Sequence, residues 1–144
     1  ARSVAGNIDA NTLVVASTSV LATDATINSI TVGKGANSVA GNTVLGESAL
    51  DSVTTGGSNT AIGKDTLDAN TTGSHNVAIG INALSANTTA SNNTAVGRDA
   101  LLLNTTGANN TAIGYETLEA NTTASDNTAL GYQTLKANTT GAYR

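Results

Sequence analysis

Aliphatic residues return at a fixed interval along most of the chain. Between Thr43 and Arg144, an aliphatic residue followed by glycine recurs every 17 residues, and a leucine follows each of them five residues later. A fixed internal period is typical of repeat proteins in which each copy stacks on the next. We call the first set the aliphatic column (Leu45, Ile62, Ile79, Val96, Ile113 and Leu130). The second set is the leucine column, which we expect to serve coil packing (Leu50, Leu67, Leu84, Leu101, Leu118 and Leu135).

Each repeat divides into a short apolar run and two polar segments. The run Thr-Ala-Ile has the residues of a short strand, and the following glycine ends the strand without steric cost. The next segment, YETLEA at residues 115–120, is compatible with one helical turn closed by Asn121 or with a second short strand. The Asn-Thr-Thr segment has the composition of a turn. Two asparagine columns are expected to stack as side-chain ladders, one of Asn70, Asn87, Asn104, Asn121 and Asn138, the other of Asn59, Asn76, Asn93, Asn110 and Asn127.

These elements predict an all-β fold, a parallel β-solenoid in which every 17-residue repeat forms one coil. One strand, one outer segment and two turns close a coil, and coils stacked at about 4.8 Å build a rod. Each coil offers only two large apolar side chains, which is little burial against the entropy of ordering its residues. We therefore expect several chains to share the apolar stripe around one axis.

Residues 1–42 lack the repeat and form a separate, irregular section. Short β-branched or alternating runs at 12–15, 26–30 and 31–33 predict short strands that lead into the solenoid of residues 43–144. Gly33 and Gly46 stand 13 residues apart, which suggests a shortened first coil. The sequence starts without Met and stops inside a repeat, so we expect a piece of a longer protein.

Composition and charge argue against two classes of partner. The formal net charge is −4 and the six basic residues are scattered singly, so we expect no nucleic-acid partner, because binding to phosphates needs clustered Lys and Arg. The apolar run at residues 13–16 is far too short for membrane insertion. The chain contains no cysteine, which excludes a disulfide scaffold.

The few residues that carry chemistry do not suggest a catalytic or metal site. His75 is the only histidine, whereas a zinc site needs several converging ligands. Two carboxylate pairs are spaced by three residues, Asp65/Asp68 and Glu116/Glu119. Neither pair has neighbours that would create an acid–base environment, and a Val-Gly-Lys-Gly run lacks the spacing of a phosphate-binding loop. We expect no catalytic residue, no metal and no cofactor, and we interpret the Asn-Thr-Thr sequons as structural.

The phrase NTAIGxxAL…NTTG…N resembles the repeats of bacteriophage tail-fibre proteins, and it is also similar to the shorter SVAIG-type repeats in the heads of trimeric autotransporter adhesins. The Ala-Ile-Gly and Asn-Thr-Thr-Gly positions carry the resemblance, which covers Thr31 to Arg144. It implies a homotrimeric parallel β-roll or β-solenoid whose inner strands pack toward a threefold axis. Carried onto this chain, the aliphatic column would form the trimer core. Autotransporter heads use a shorter unit, which favours the phage-fibre type.

The sequence therefore predicts a structural fibre segment, a rigid trimeric spacer or adhesin of a virion tail fibre that attaches to a bacterial host. The alternatives are an autotransporter-type adhesin on a bacterial cell surface and an ice-binding solenoid that uses the threonine columns. An enzyme is not expected, because glycan-degrading fibres need paired carboxylates in a cleft. Contact with host glycan or lipopolysaccharide would use variable positions, which we call the contact stripe (Lys64, Ile81, Arg98, Tyr115 and Tyr132).

Overall fold

The computed structural model describes residues 25–27 and 30–141, and the strand predicted at 12–15 lies outside them. The described residues form one eight-stranded sheet whose strands follow each other in chain order. The only helical element among them is a single 3-10 turn, Ala36–Ser38. The strands are β1 (Ala25–Ile27), β2 (Ile30–Gly33), β3 (Thr43–Gly46), β4 (Thr60–Ile62), β5 (Val77–Ile79), β6 (Thr94–Val96), β7 (Thr111–Ile113) and β8 (Thr128–Leu130).

From β3 onward, each strand pairs in parallel with the next, and the paired residues are one repeat apart in the sequence. In β4 and β5, for example, Thr60 lies opposite Val77 and Ala61 lies opposite Ala78. The same register holds for the other pairs from β3 to β8. The structure therefore confirms the predicted all-β fold and the parallel β-solenoid with 17-residue coils. We number the coils by their residues: coil 1 is 43–59, coil 2 is 60–76, coil 3 is 77–93, coil 4 is 94–110, coil 5 is 111–127, and coil 6 is described over 128–141.

An antiparallel hairpin closes the N-terminal side of the stack. β1 pairs antiparallel with β2, and β2 pairs antiparallel with β3. The run at 26–30 therefore does not form one strand, because its two ends belong to β1 and β2. An open strand edge presents unpaired N–H and C=O groups that invite further pairing. The hairpin covers this edge of β3 and so ends the parallel stack in that direction.

Strand alanines and the leucine column fill the interior of the coils. Successive side chains of a strand point to opposite faces, so the middle residue of Thr-Ala-Ile points inward and its neighbours point outward. The buried hydrophobic residues of the strands are Val44, Ala61, Ala78, Ala95, Ala112 and Ala129. The structure places the leucine column in this core: Leu50, Leu67, Leu84, Leu101 and Leu118 have no exposed surface, and Leu135 in coil 6 is half-buried.

The outer segment after each glycine is neither a helical turn nor a strand, and both predictions for it are wrong. In coil 2 it is a run of turns in which Asp65 has φ 53° and Leu67 has φ 52°. The N–H of Asp65 donates to the Glu47 carbonyl of the preceding coil at 2.9 Å, and that of Leu67 donates to the Ala83 carbonyl of the next coil at 3.1 Å. A helix keeps such bonds within four residues, and a strand alternates its side chains, whereas Thr66 and Leu67 are both buried. Hydrogen bonding between coils replaces both regular patterns.

Close approach of neighbouring coils requires the glycine that ends each strand. Gly97 has φ 135°, and a Cβ at this position would lie 2.4 Å from the carbonyl oxygen of Gly114. Both the backbone conformation and the contact exclude a side chain. The glycine thus lets the chain turn from the aliphatic column to the contact stripe without separating the coils.

Candidate interaction surface

The aliphatic column lies on the outside of the chain. Its residues directly follow the inward-facing strand alanines, so strand alternation turns them outward. The exposed fraction is 44% for Leu45, 36% for Ile79, 39% for Ile113 and 72% for Leu130. The two remaining members, Ile62 and Val96, are half-buried. Isolated exposed aliphatic residues need no explanation, but a continuous row of them is characteristic of an interaction site.

The sheet face that carries this column is uncharged. Two positions before each aliphatic residue, the strand presents an outward-facing threonine, which is replaced by Val77 in coil 3. The charged residues between 43 and 141 lie elsewhere. They fall in four columns of equivalent residues, which start in coil 1 at residues 47, 48, 51 and 58. A partner can therefore cover this face without removing a charge from water, which would be costly.

The two asparagine columns form hydrogen-bonded ladders inside the coils. In one ladder, the backbone N–H of Asn76 donates to Oδ1 of Asn59 at 2.9 Å, and Nδ2 of Asn76 donates to the Ala90 carbonyl at 2.9 Å. In the other, Nδ2 of Asn87 donates to Oδ1 of Asn70 at 2.9 Å and to the same carbonyl at 3.1 Å. These bonds satisfy amides that would be expensive to bury alone. The buried members are Asn59, Asn70, Asn76, Asn87, Asn93, Asn104, Asn110, Asn121 and Asn127, and Asn138 in coil 6 is half-buried.

The Asn-Thr-Thr segments lie in bends, and their side chains serve different roles. In coils 2 to 5 the asparagine amide is buried in the ladder, where a glycan-transferring enzyme has no access to it in the folded chain. The first threonine bonds to the next coil, as Thr71 Oγ1 does by donating to the Thr88 carbonyl at 3.0 Å. The second threonine, Thr72 in this coil, is exposed. The threonine pairs therefore do not form a flat strand face of free hydroxyl groups.

The contact stripe forms a stacked column beside the aliphatic column. The rings of Tyr115 and Tyr132 stack with their centroids 5.5 Å apart and their planes 7° from parallel. The guanidinium carbon of Arg98 lies 5.7 Å from the centroid of Tyr115, within the range of a cation–π interaction. Neighbouring coils thus cover both faces of the Tyr115 ring. Tyr132 is 72% exposed and Ile81 is 49% exposed, and Lys64 is also exposed.

Ion pairs connect neighbouring coils on the surface. Lys64 Nζ lies 2.8 Å from Oε1 of Glu47, while Lys136 pairs with Glu116 and, at 2.9 Å, with Oε2 of Glu119. The hydrogen bond from Lys136 lowers the pKa of Glu116 to about 2, and the same bond raises the pKa of Lys136. Sequence reasoning missed the Lys64–Glu47 and Lys136–Glu116 pairs, because their partners are 17 and 20 residues apart.

The residues considered for catalysis are exposed or half-buried. His75 is exposed in the last turn of coil 2, and the described residues contain no group of three or more side chains suited to hold a metal ion. Oδ2 of Asp65 lies 3.4 Å from Nζ of Lys64. Burial, followed by the negative charges of Asp65 and Asp51, raises the pKa of Asp68. Asp65 thus has a cationic neighbour, whereas the charged neighbours of Asp68 are other carboxylates.

Comparisons with protein-family models, with curated proteins and with solved structures gave no match. Among the described residues, no helix has the length and apolar character needed to cross a membrane. The physical properties of the solenoid surface are therefore the basis on which its function is inferred.

Proposed function

We propose that this chain is a structural segment of a fibre, assembled as a homotrimer in which the aliphatic column of each chain faces a shared axis. The observation that carries the proposal is the column itself, six aliphatic side chains in line on an uncharged face, four of them at least 36% exposed. Removing a Leu, Ile or Val side chain from water contributes about 1.5–3 kcal/mol when burial is complete. Association along the column therefore provides the burial that a single chain lacks.

A second copy of this chain fits the column particularly well. Its aliphatic side chains repeat at the spacing of neighbouring strands, about 4.8 Å. A parallel copy has the same spacing and the same uncharged face, so every coil makes an equivalent contact. The number of three copies follows from the resemblance of the repeat to trimeric fibre proteins, and rotational symmetry closes such an assembly.

The trimer would serve as a rigid spacer and as an attachment surface. Rigidity is supported by the hydrogen bonds that join each coil to the next through backbone and asparagine groups. We place the segment in a virion tail fibre, where the contact stripe, exposed at every position except the half-buried Tyr115, would meet glycan or lipopolysaccharide of a bacterial host. A bacterial cell-surface adhesin would use the same geometry, but the length of the repeat favours the phage-fibre type.

The mass in solution tests the assembly. Light scattering coupled to size exclusion should give three times the chain mass of 14.1 kDa. Ile113→Asn places an amide in the aliphatic column and should give the mass of one chain. Thr106→Asn, at an exposed turn position, is the matched control and should leave the trimer intact. A folded wild-type chain that stays monomeric at every concentration contradicts the proposal.

Attachment is tested with the assembled trimer. Labelled trimer should bind cells from a panel of bacterial strains or their purified lipopolysaccharide, and the double variant Arg98→Ala/Tyr132→Ala should bind more weakly. Thr89→Ala, which changes an exposed residue of the turn, should bind like the wild type. Trimer that binds none of these surfaces contradicts the adhesive role and leaves the role of spacer.

A further inference from the structure

We propose that Asn92 and Asn109 are the two sites at which the folded chain accepts an N-linked saccharide. Both begin a sequon of the form Asn-x-Thr, the acceptor motif for this modification. They lie in coils 3 and 4 and are distinct from the Asn-Thr-Thr sequons of the ladder. The inference concerns the single chain and does not depend on the proposed trimer.

Burial divides the asparagines of the seven Asn-x-Thr sequons in the sequence into two groups. Asn92 and Asn109 are exposed. The other five are ladder residues, and Asn138 among them is half-buried, with Nδ2 donating to the Gly141 carbonyl at 3.0 Å. The remaining four have no exposed surface (Asn70, Asn87, Asn104 and Asn121). Because transfer requires an amide at the surface, the fold restricts it to the first group.

The positions of the asparagine and the threonine within each sequon strengthen this distinction. Asn92 is exposed, Asn93 is buried, and Thr94 is half-buried on the outer face of β6. The amide of Asn92 and the hydroxyl group of Thr94 are therefore both available from outside the coil, where an enzyme can bind them together. In the ladder sequon of coil 2, by contrast, Asn70 is inside the coil and Thr72 is exposed. An enzyme bound to that threonine does not reach the amide.

The turn that carries Asn92 is held from inside the coil. The N–H of Asn93 donates to Oδ1 of Asn76 at 2.9 Å, and its Nδ2 donates to the Gly107 carbonyl at 2.9 Å. The backbone N–H of Asn92 donates to the Ser74 carbonyl at 3.1 Å. Asn92 has φ 62°, in the left-handed region that asparagine adopts more readily than most residues. A saccharide on Nδ2 of Asn92 therefore replaces none of the bonds that hold this turn.

The two acceptors differ in what their side-chain amides contact. Within the described residues, the side chain of Asn92 has no hydrogen-bond partner, whereas Nδ2 of Asn109 donates to Oδ1 of Asp126 at 3.0 Å. Transfer to Asn109 has to break this bond first. We therefore expect Asn92 to be modified faster than Asn109.

The transfer joins the amide to an activated sugar. Nδ2 attacks the anomeric carbon of a nucleoside-diphosphate sugar, and the new C–N bond forms as the bond from that carbon to the diphosphate oxygen breaks. The nucleoside diphosphate leaves, and the proton lost from Nδ2 passes to a base of the transferase. The attached saccharide is bulky and solvated, so it fits an exposed turn and not the interior of a coil.

Mapping the modified residues of the folded chain tests this inference. The full chain is incubated with a soluble transferase that recognises Asn-x-Thr and with UDP-glucose, and mass spectrometry of its peptides locates the hexose. Asn92 should be modified first and Asn109 second. The ladder asparagines should react at least about tenfold more slowly, since they become accessible only when the coils open locally. A chain digested before the reaction is the control in which every sequon is accessible. Modification of Asn92 no faster than that of the ladder asparagines overturns the inference.

Two substitutions that use residues from equivalent positions of other coils test the sequon itself. Thr94→Val removes the hydroxyl group and keeps Asn92, and Val77 occupies the equivalent position of coil 3. Asn92→Asp removes the amide, and Asp126 occupies the equivalent position of coil 5. Each variant should keep the circular dichroism spectrum of the wild type, lose the hexose in coil 3 and retain the hexose on Asn109. Transfer to Asn92 at the wild-type rate in Thr94→Val overturns the inference.

Discussion

The leucine column and the aliphatic column have the same period and similar residues, yet their environments are opposite. Leu84 has no exposed surface, whereas Ile79, five residues earlier, is 36% exposed. The backbone between them makes the difference. Strand alternation turns Ile79 outward, and then Gly80 at φ 128° and Leu84 at φ 53° redirect the chain so that the leucine enters the coil.

This contrast shows that an apolar column in a solenoid can serve two different purposes. Inside the coil, it holds one chain together, because neighbouring coils of the same chain cover it. Outside the coil, it leaves an exposed apolar surface, which another chain covers in the proposed trimer. The two kinds of column should therefore differ in how the stability of the fold responds to substitution and to chain concentration.

The largest effect is expected for Leu84→Ala. It should lower the free energy of unfolding by about 2–5 kcal/mol, because truncating a leucine in a packed interior removes buried apolar surface and leaves a cavity. Urea titration followed by circular dichroism measures this decrease. A change within about 0.5 kcal/mol, as for an ordinary surface substitution, would contradict the interior position of the leucine column.

A smaller effect is expected for Asn87→Ala, next to the buried leucines. This change removes the acceptor of Asn104 Nδ2 at 3.1 Å and the donor to Asn70 Oδ1 at 2.9 Å. Asn104 Nδ2 keeps its bond to the Gly107 carbonyl at 2.9 Å. Asn70 Oδ1 is therefore the buried group left unpaired, at a cost of about 1–3 kcal/mol. The same urea titration measures the decrease in stability, with the exposed Thr89→Ala as control. Equal stability of the two variants would show that the ladder is not needed to hold the interior.

On the outer column, Ile79→Ala should have an effect that depends on chain concentration. In the proposed trimer it should cost about 0.8 kcal/mol for each buried carbon that is removed. In the dissociated chain the cost should stay within about 0.5 kcal/mol. Thermal unfolding over a range of concentrations measures both, and Leu84→Ala should be costly throughout. The same penalty for Ile79→Ala at every concentration would remove the distinction between the columns.

The smallest effect is expected in the pH dependence of stability, and it comes from the ion pair of Glu116 and Lys136 on the charged surface. The folded pKa of Glu116 is about 2, below its ordinary value of 4.5, because Lys136 donates to it. Its contribution to stability is therefore present above about pH 4.5 and is lost as the pH falls toward about 2. Glu116→Gln should flatten this part of the profile of unfolding midpoint against pH, whereas Asp126→Asn leaves the Lys136 pair in place. An unchanged profile in Glu116→Gln would show that the pair does not stabilise the fold.

The accuracy of sequence reasoning differed between parts of the repeat. The short strand was predicted, because Thr-Ala-Ile followed by glycine is a local pattern with a local cause. The outer segment was not, because its conformation depends on bonds such as that from Leu67 N–H to the Ala83 carbonyl in the next coil. The surface pair of Lys136 and Glu116 was missed for the same reason. Interactions between coils join residues that are far apart along the chain.

By itself, the sequence determined the period, the strand in each coil and the parallel stack, because identical units that cannot bury their apolar residues alone are stabilised by stacking in register. Only the tertiary structure decided how the outer segment carries each leucine into the coil. The direction of a side chain after a turn depends on backbone angles such as the left-handed φ of Leu84, and such angles are stable only when neighbouring coils bond to the same segment. The burial of the leucines and the exposure of the isoleucines are thus properties of the stack rather than of any one repeat.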